Sequence, residues 1–182
     1  MVNKYKLRLT LLQQDILRML YKKAGLSLNQ NQIAKNLNVS SPAVKKALPR
    51  LEDNELITIS KDNETKRLSI KLNLDNRTLI GLKRADNLKQ FYESGLADYL
   101  EVALAGSTII LFGSYSRGED IYNSDIDIAV IERKEKQLQL EEYEEYLGRR
   151  IHILFFDSFR KINEHLRNNL LNGFTITGTV VL

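Results

Sequence analysis

The stretch Gly113-Ser114-Tyr115-Ser116-Arg117-Gly118-Glu119-Asp120-Ile121-Tyr122-Asn123-Ser124-Asp125-Ile126-Asp127-Ile128-Ala129-Val130 decides how the second half of this 182-residue chain folds. It follows Ser107-Thr108-Ile109-Ile110-Leu111-Phe112, a β-branched run that reads as a strand ending at a Gly-Ser pair. Gly-Ser at a strand end lets the backbone come close to a ligand and offers amide donors and a hydroxyl to an anion, above all if Tyr115 to Asp120 opens a helix. Ten residues after Ser114 comes Asp125-Ile126-Asp127. On a strand the two carboxylates share one face while Ile126, Ile128 and Val130 share the other. Two adjacent carboxylates repel, and a shared divalent cation explains them best. Oxygen-only ligands suit Mg²⁺ bridging to substrate phosphates.

This constellation closely resembles the signature of the DNA polymerase β superfamily of nucleotidyltransferases, in particular its minimal branch. The resemblance covers roughly residues 95–182. It implies that Gly113, Ser114 and Arg117 bind the nucleotide, and that Asp125 and Asp127 bind Mg²⁺ or Mn²⁺. The implied reaction is attack of an acceptor hydroxyl on the α-phosphate of a nucleoside triphosphate, ATP for instance, with release of pyrophosphate. The family's third carboxylate sits on a later strand after a helix, and the matching segment is Arg149-Arg150-Ile151-His152-Ile153-Leu154-Phe155-Phe156. The alternation puts His152 on the side of the Asp pair. The matching position thus holds His. A neutral imidazole can act as a general base but is a poor Mg²⁺ ligand, so His152 is read either as a catalytic base or as an incidental polar residue in a degenerate site. Asp157, the nearest carboxylate, falls on the other face. Minimal members that resemble antitoxins modify a partner protein, so the acceptor is expected to be a protein or a nucleic acid.

Upstream, Leu9, Leu12, Ile16, Leu17 and Leu20 have helical spacing and predict a helix from about Thr10 to Ala24, stopped by Gly25. Asn29 caps a short second helix through Ile33, Ala34 and Leu37, and Ser41-Pro42 opens a third through Val44, Ala47, Leu48 and Leu51. Leu56-Ile57-Thr58-Ile59-Ser60 and Arg67-Leu68-Ser69-Ile70-Lys71-Leu72 then read as a hairpin. Residues 9–72 resemble the winged helix-turn-helix domains of prokaryotic regulators, which implies DNA binding. Ser40, Ser41, Lys45 and Lys46 would lie near base edges or phosphates, with Arg50, Lys61, Lys66 and Arg67 on the backbone. Pro49 falls inside the third helix and predicts a kink.

The expected organisation is mixed α/β (α+β). A winged helix occupies residues 1–73, a long basic helix links it at 74–94, and a polymerase-β-like nucleotidyltransferase domain with a mixed sheet, covered on one face by helices, fills 95–182. Ser158 to Leu171 reads as a final helix, with strands at 174–177 and 179–182. Charge divides the same way. Residues 1–90 carry 18 Lys and Arg against 8 Asp and Glu, and residues 91–182 carry 9 against 15. A basic half favours a polyanion partner, here DNA. The chain has no cysteine and two histidines, which excludes thiolate metal sites and a cysteine nucleophile. No apolar stretch approaches a membrane span, so a cytoplasmic protein without membrane contact is expected. The linking helices suit a homodimer on a palindromic site. Mg²⁺-dependent nucleotidyl transfer coupled to DNA binding is the function expected. The alternative is a degenerate, nucleotide-sensing DNA-binding transcription regulator.

Overall fold

The computed structural model describes residues 7–61 and 68–180, which divide into two compact units, 1–79 and 80–182.

In the first unit, helix α1 (Leu11–Lys22) starts at a reciprocal capping box. The Thr10 hydroxyl accepts from the Gln13 amide, and the Gln13 side chain accepts from the Thr10 amide. Asn29 and Gln32 repeat the device at α2 (Gln30–Leu37), which ends at Asn38 in the left-handed conformation with φ 52°. Ser40 rather than Ser41 caps α3 (Ser41–Asp53). This helix runs on through Pro49, so the expected interruption is confined to the amide that proline lacks. Strands β1 (Ile57–Lys61) and β2 (Leu68–Leu72) pair antiparallel, and Leu28 adds a bridge to Ile70 with two backbone hydrogen bonds of 2.8 Å. Ile16, Leu20, Ile33, Val44, Leu51, Ile57 and Ile70 fill the core between helices and hairpin.

Helix α4 (Arg77–Glu93) crosses the division between units, and its part from Ile80 onward packs within the second. The expected linking segment 74–94 is therefore split, because Lys83, Asn87, Gln90 and Phe91 form a buried stripe at helical spacing. Lys83, one of the basic residues of this helix, is fully buried. Helix α5 (Leu96–Ala103) follows, then β3 (Thr108–Phe112), α6 (Gly113–Arg117), β4 (Ile126–Ile131), α7 (Glu141–Leu147) and β5 (Ile151–Phe156). The expected final helix is broken. A short 3₁₀ helix spans Phe159–Lys161, and Asn163 then caps α8 (Glu164–Leu171), its side chain accepting from the Leu166 amide. Strand β6 (Phe174–Thr177) completes a sheet of order β5-β4-β3-β6. Thr179 and Val180 form no strand; Thr179 instead binds the Thr108 hydroxyl through its own amide and carbonyl. Residues 181–182 lie outside the described residues.

The sheet is mixed, with β3 antiparallel to β4 and β6, and β4 parallel to β5. One face carries Ile109, Leu111, Ile126, Ile128, Val130 and Ile151, packed against Phe91, Leu96, Leu100, Tyr115 and Leu147. The other carries Ile110, Phe112, Ala129 and Ile131, covered by Phe159, Ile162 and Leu170. Helices on one face alone are thus too few. Ile128 is fully buried on the central strand. Ile128→Ala is expected to destabilise this unit by about 2–5 kcal/mol, measured by denaturant unfolding.

Candidate active site

Strand β3 delivers Gly113 to the end of the sheet next to β4. Its φ of +76° favours glycine, and a Cβ built there would run into the Asp127 carboxylate. The missing side chain is what leaves room for that carboxylate above the turn. Asp127 is 30% exposed and lies in register between Phe112 of β3 and His152 of β5. Cross-strand neighbours share a face, and Nδ1 of His152 stands 3.5 Å from Oδ1 of Asp127. Asp125 is exposed and lies one residue before β4, whose first residue is Ile126. Ser114 sits in the first turn of α6, half-buried, while Arg117 at its end pairs with Glu119 at 2.7 Å. Gly113, Ser114, Asp127 and His152 therefore gather at one end of the sheet, with Asp125 at the mouth of the same strand.

The loop from α6 to β4 is held by Gly118, which belongs to the signature stretch, and by polar groups to which sequence reasoning gave no part in the site. Gly118, at φ +75°, lies so close to α4 that a Cβ would come 2.6 Å from the Ile80 carbonyl and 2.7 Å from the Arg84 amide. Asp120 is buried and accepts from Lys83 Nζ, from Asn87 Nδ2 at 2.7 Å and from Arg149 Nη2 at 2.9 Å. Asn87 also donates to the Tyr115 carbonyl at 2.9 Å, and the Tyr115 hydroxyl donates to the Asn87 carbonyl at 3.1 Å. Burial lowers the Lys83 pKa from its ordinary value, against the opposing pull of Asp120. Burial likewise pushes the Tyr115 phenol upward, so it remains a donor. The one available sequence signal was Lys83 and Asn87 sharing a helical stripe with Phe91.

A divalent cation is implied by the resemblance, and the donor set fits one. The Gly113 cradle leaves the Asp127 carboxylate open to the turn, and Asp125 adds a second oxygen donor. Among the described residues no group of three or more His, Cys, Asp or Glu is arranged to hold a metal. Two carboxylates therefore suit an ion completed by phosphate and water, as is usual for Mg²⁺.

In the first unit Lys45, Lys46 and Arg50 are exposed on α3, and Lys61 is exposed at the end of β1. The Ser41 hydroxyl is occupied within the fold, accepting from Gln30 Nε2 at 2.8 Å and donating to Asn31 Oδ1 at 2.8 Å. Ser40 serves as the cap. Lys66 and Arg67 lie outside the described residues.

Comparison with known proteins agrees with both units. Residues 94–176 match the family model of the nucleotidyltransferase domain, and residues 9–69 match that of the MarR family. The chain is an N-terminal MarR-type winged helix joined to a C-terminal nucleotidyltransferase domain built on a mixed four-stranded sheet. Among solved structures it is similar to a mutant of MepR from a multidrug resistant S. aureus clinical isolate, at 35% identity over 41% of this chain and 52% of that one, TM-score 0.36. It is also similar to a double mutant of Lactococcus lactis ZitR, at 26% identity over 54% and 63%, TM-score 0.39. For S. aureus MepR in a complex with DNA the identity is 29% over 52% and 81%, TM-score 0.38. The chain spans about half the length of the first of these and under two thirds of the second. No curated protein matches it. Among the described residues no helix is long and apolar enough to cross a membrane.

Proposed function

We propose that the second unit is a divalent-metal-dependent nucleotidyltransferase. It moves a nucleoside monophosphate, AMP from ATP being the working case, to a hydroxyl on a protein or nucleic acid, and the winged helix ties that activity to DNA. The observation that carries this reading is the glycine turn at Gly113 opening onto Asp127, with His152 beside it.

The chain's own groups divide the work. The first amides of α6 have no partner inside the helix, and with the Ser114 hydroxyl they supply donors for phosphate oxygens. Asp125 and Asp127 would hold Mg²⁺ or Mn²⁺, which when bound neutralises charge on the phosphates and orients them for displacement. His152 directs Nδ1 to Asp127, which leaves Nε2 as the nitrogen able to take the proton of the acceptor hydroxyl. The bond formed joins the acceptor oxygen to the α-phosphorus, and the bond broken releases pyrophosphate.

A second reading, in which a triphosphate binds without turnover and alters DNA binding, is favoured by one observation. The position beside Asp127 on β5 holds an imidazole, 59% exposed, instead of a third oxygen ligand. Transfer of label from each of the four α-³²P nucleoside triphosphates into host-cell extract, with Mg²⁺ or Mn²⁺, separates the two. Label that vanishes in an Asp125→Ala, Asp127→Ala variant supports transfer and names the acceptor class. Absence of label with every nucleotide overturns transfer in favour of sensing.

For the first unit, the MarR-type winged helix and the exposed Lys45, Lys46 and Arg50 on α3 support DNA as the partner. Each phosphate contact adds roughly 0.9 to the slope of log affinity against log salt. Lys45→Ala with Lys46→Ala is expected to flatten that slope by about 2 in a titration of labelled duplex. An unchanged slope would remove α3 from the interface.

A further inference from the structure

The α6–β4 loop, residues 118–125, carries the first of the two carboxylates and is fastened at every second residue. Gly118 lies against the α4 backbone, Asp120 is gripped by three donors, and the Tyr122 carbonyl accepts from Arg149 Nη1. At Ser124 the loop closes on itself, since the Ile121 amide donates to Ser124 Oγ and the Ser124 amide to the Ile121 carbonyl, both at 3.0 Å. The next residue is Asp125. Asp120 is the hub, because its two oxygens face different elements. Oδ1 meets Lys83 and Asn87 of α4, and Oδ2 meets Arg149, three residues before His152 at the start of β5. Through Asn87 the same hub reaches the Tyr115 carbonyl, one residue after Ser114.

A cluster of two cations and one anion, all buried, is a costly way to fasten a loop. Well-packed apolar side chains of similar volume would hold α4 at least as firmly, but they would not fix distance and angle between α6, the loop and β5. What the ionic hub adds is geometry.

We infer that Asp120, with Lys83, Asn87 and Arg149, is a positioning residue that sets Asp125 and the start of β5 relative to the Gly113 turn. The hub acts on the reacting groups only through the loop and the strand. This inference rests on the metal-dependent reading of the site and goes beyond it by giving a role to Asp120, which that reading leaves unused, and to three residues outside the signature stretch.

Asp120→Asn alone leaves two buried cations without the carboxylate that both of them meet, and it is expected to be poorly folded. Lys83→Met with Asp120→Asn keeps the net charge of the wild-type cluster and restores part of the lost stability, because the one remaining cation, Arg149, still donates to the Tyr122 carbonyl. The decisive readout is Mn²⁺ binding by the full-length protein, followed by electron paramagnetic resonance, beside thermal unfolding and label transfer. The expected result is a double variant whose unfolding midpoint returns toward wild type while Mn²⁺ affinity stays about 10–100-fold weaker. Its transfer rate should fall in step, with little change in KM for the nucleotide. A double variant that regains wild-type Mn²⁺ affinity along with its stability overturns the inference, for the hub is then structural only. Wild type that binds Mn²⁺ through the Asp pair but transfers no label defeats the transferase reading and leaves this one to be decided by the metal titration. Wild type that binds no Mn²⁺ overturns both.

Discussion

Asp125→Ala combined with Asp127→Ala is expected to abolish nucleotidyl transfer while leaving the fold and DNA binding intact. Neither carboxylate is a strut of the core. Asp125 is exposed ahead of β4, and Asp127 is partly exposed, with the imidazole of His152 as its described neighbour. Removing both therefore strands no buried partner, and the unfolding midpoint should move little. The site, by contrast, loses both oxygen donors proposed for the cation. Loss of a residue that merely orients a metal ligand costs roughly 10–100-fold, so loss of two ligands should exceed that and bring transfer to background. Label counted after gel separation, beside a melting curve and a duplex titration, checks all three parts. Residual transfer within about tenfold of wild type would take the Asp pair out of the chemistry.

Gly118→Ala is expected to destabilise the second unit strongly. Alanine there meets two separate costs. The residue must adopt φ +75°, worth about 1–2 kcal/mol, and its Cβ would press on the backbone of α4 at Ile80 and Arg84, worth about 1–3 more. The atoms in the way are main chain, so no rotamer change relieves them. For a unit of this size a loss of about 2–5 kcal/mol lowers the unfolding midpoint by roughly 10–20 °C. Gly148→Ala is the internal control. Gly148 has a similar φ of +65° with nothing within 4 Å of a new Cβ, so it should show the conformational cost alone. Equal midpoints for the two variants would mean that the close approach to α4 carries no energy.

What could be read in advance was what is local along the chain. The Gly-Ser turn and the Asp-x-Asp strand are separated by ten residues, and each is specified by its own neighbours. The two-residue period of a strand was enough to put His152 on the Asp127 side, and the parallel register does so. The winged-helix pattern was equally local, since caps such as Thr10 and Asn29 announce themselves together with their own third residues. What stayed hidden depends on chain distance. Lys83 reads as a solvated charge until Asp120, 37 residues on, is folded against it. Arg149 likewise looks like one of two exposed arginines before β5, and Ser41 like a hydroxyl offered to DNA, until its donor and acceptor are both seen to be used inside the domain. A polar side chain announces burial only through its partner, and no period in the sequence marks a partner that lies on another element.

The mixed pairing of the sheet has a consequence for how it opens. β4 is laddered along its length on both sides, antiparallel to β3 and parallel to β5, whereas β6 joins β3 through three register pairs interrupted by a shift between Ile109 and Ile110. Deuterium should therefore enter at Phe174–Thr177 first and at Ile126–Ile131 last, the latter only when the whole unit unfolds. Asp127 rides on the slowest-exchanging strand of its unit while His152 rides on an edge. Asp127 is thus the permanent part of the site, and the imidazole side is the part that local fraying can withdraw and return.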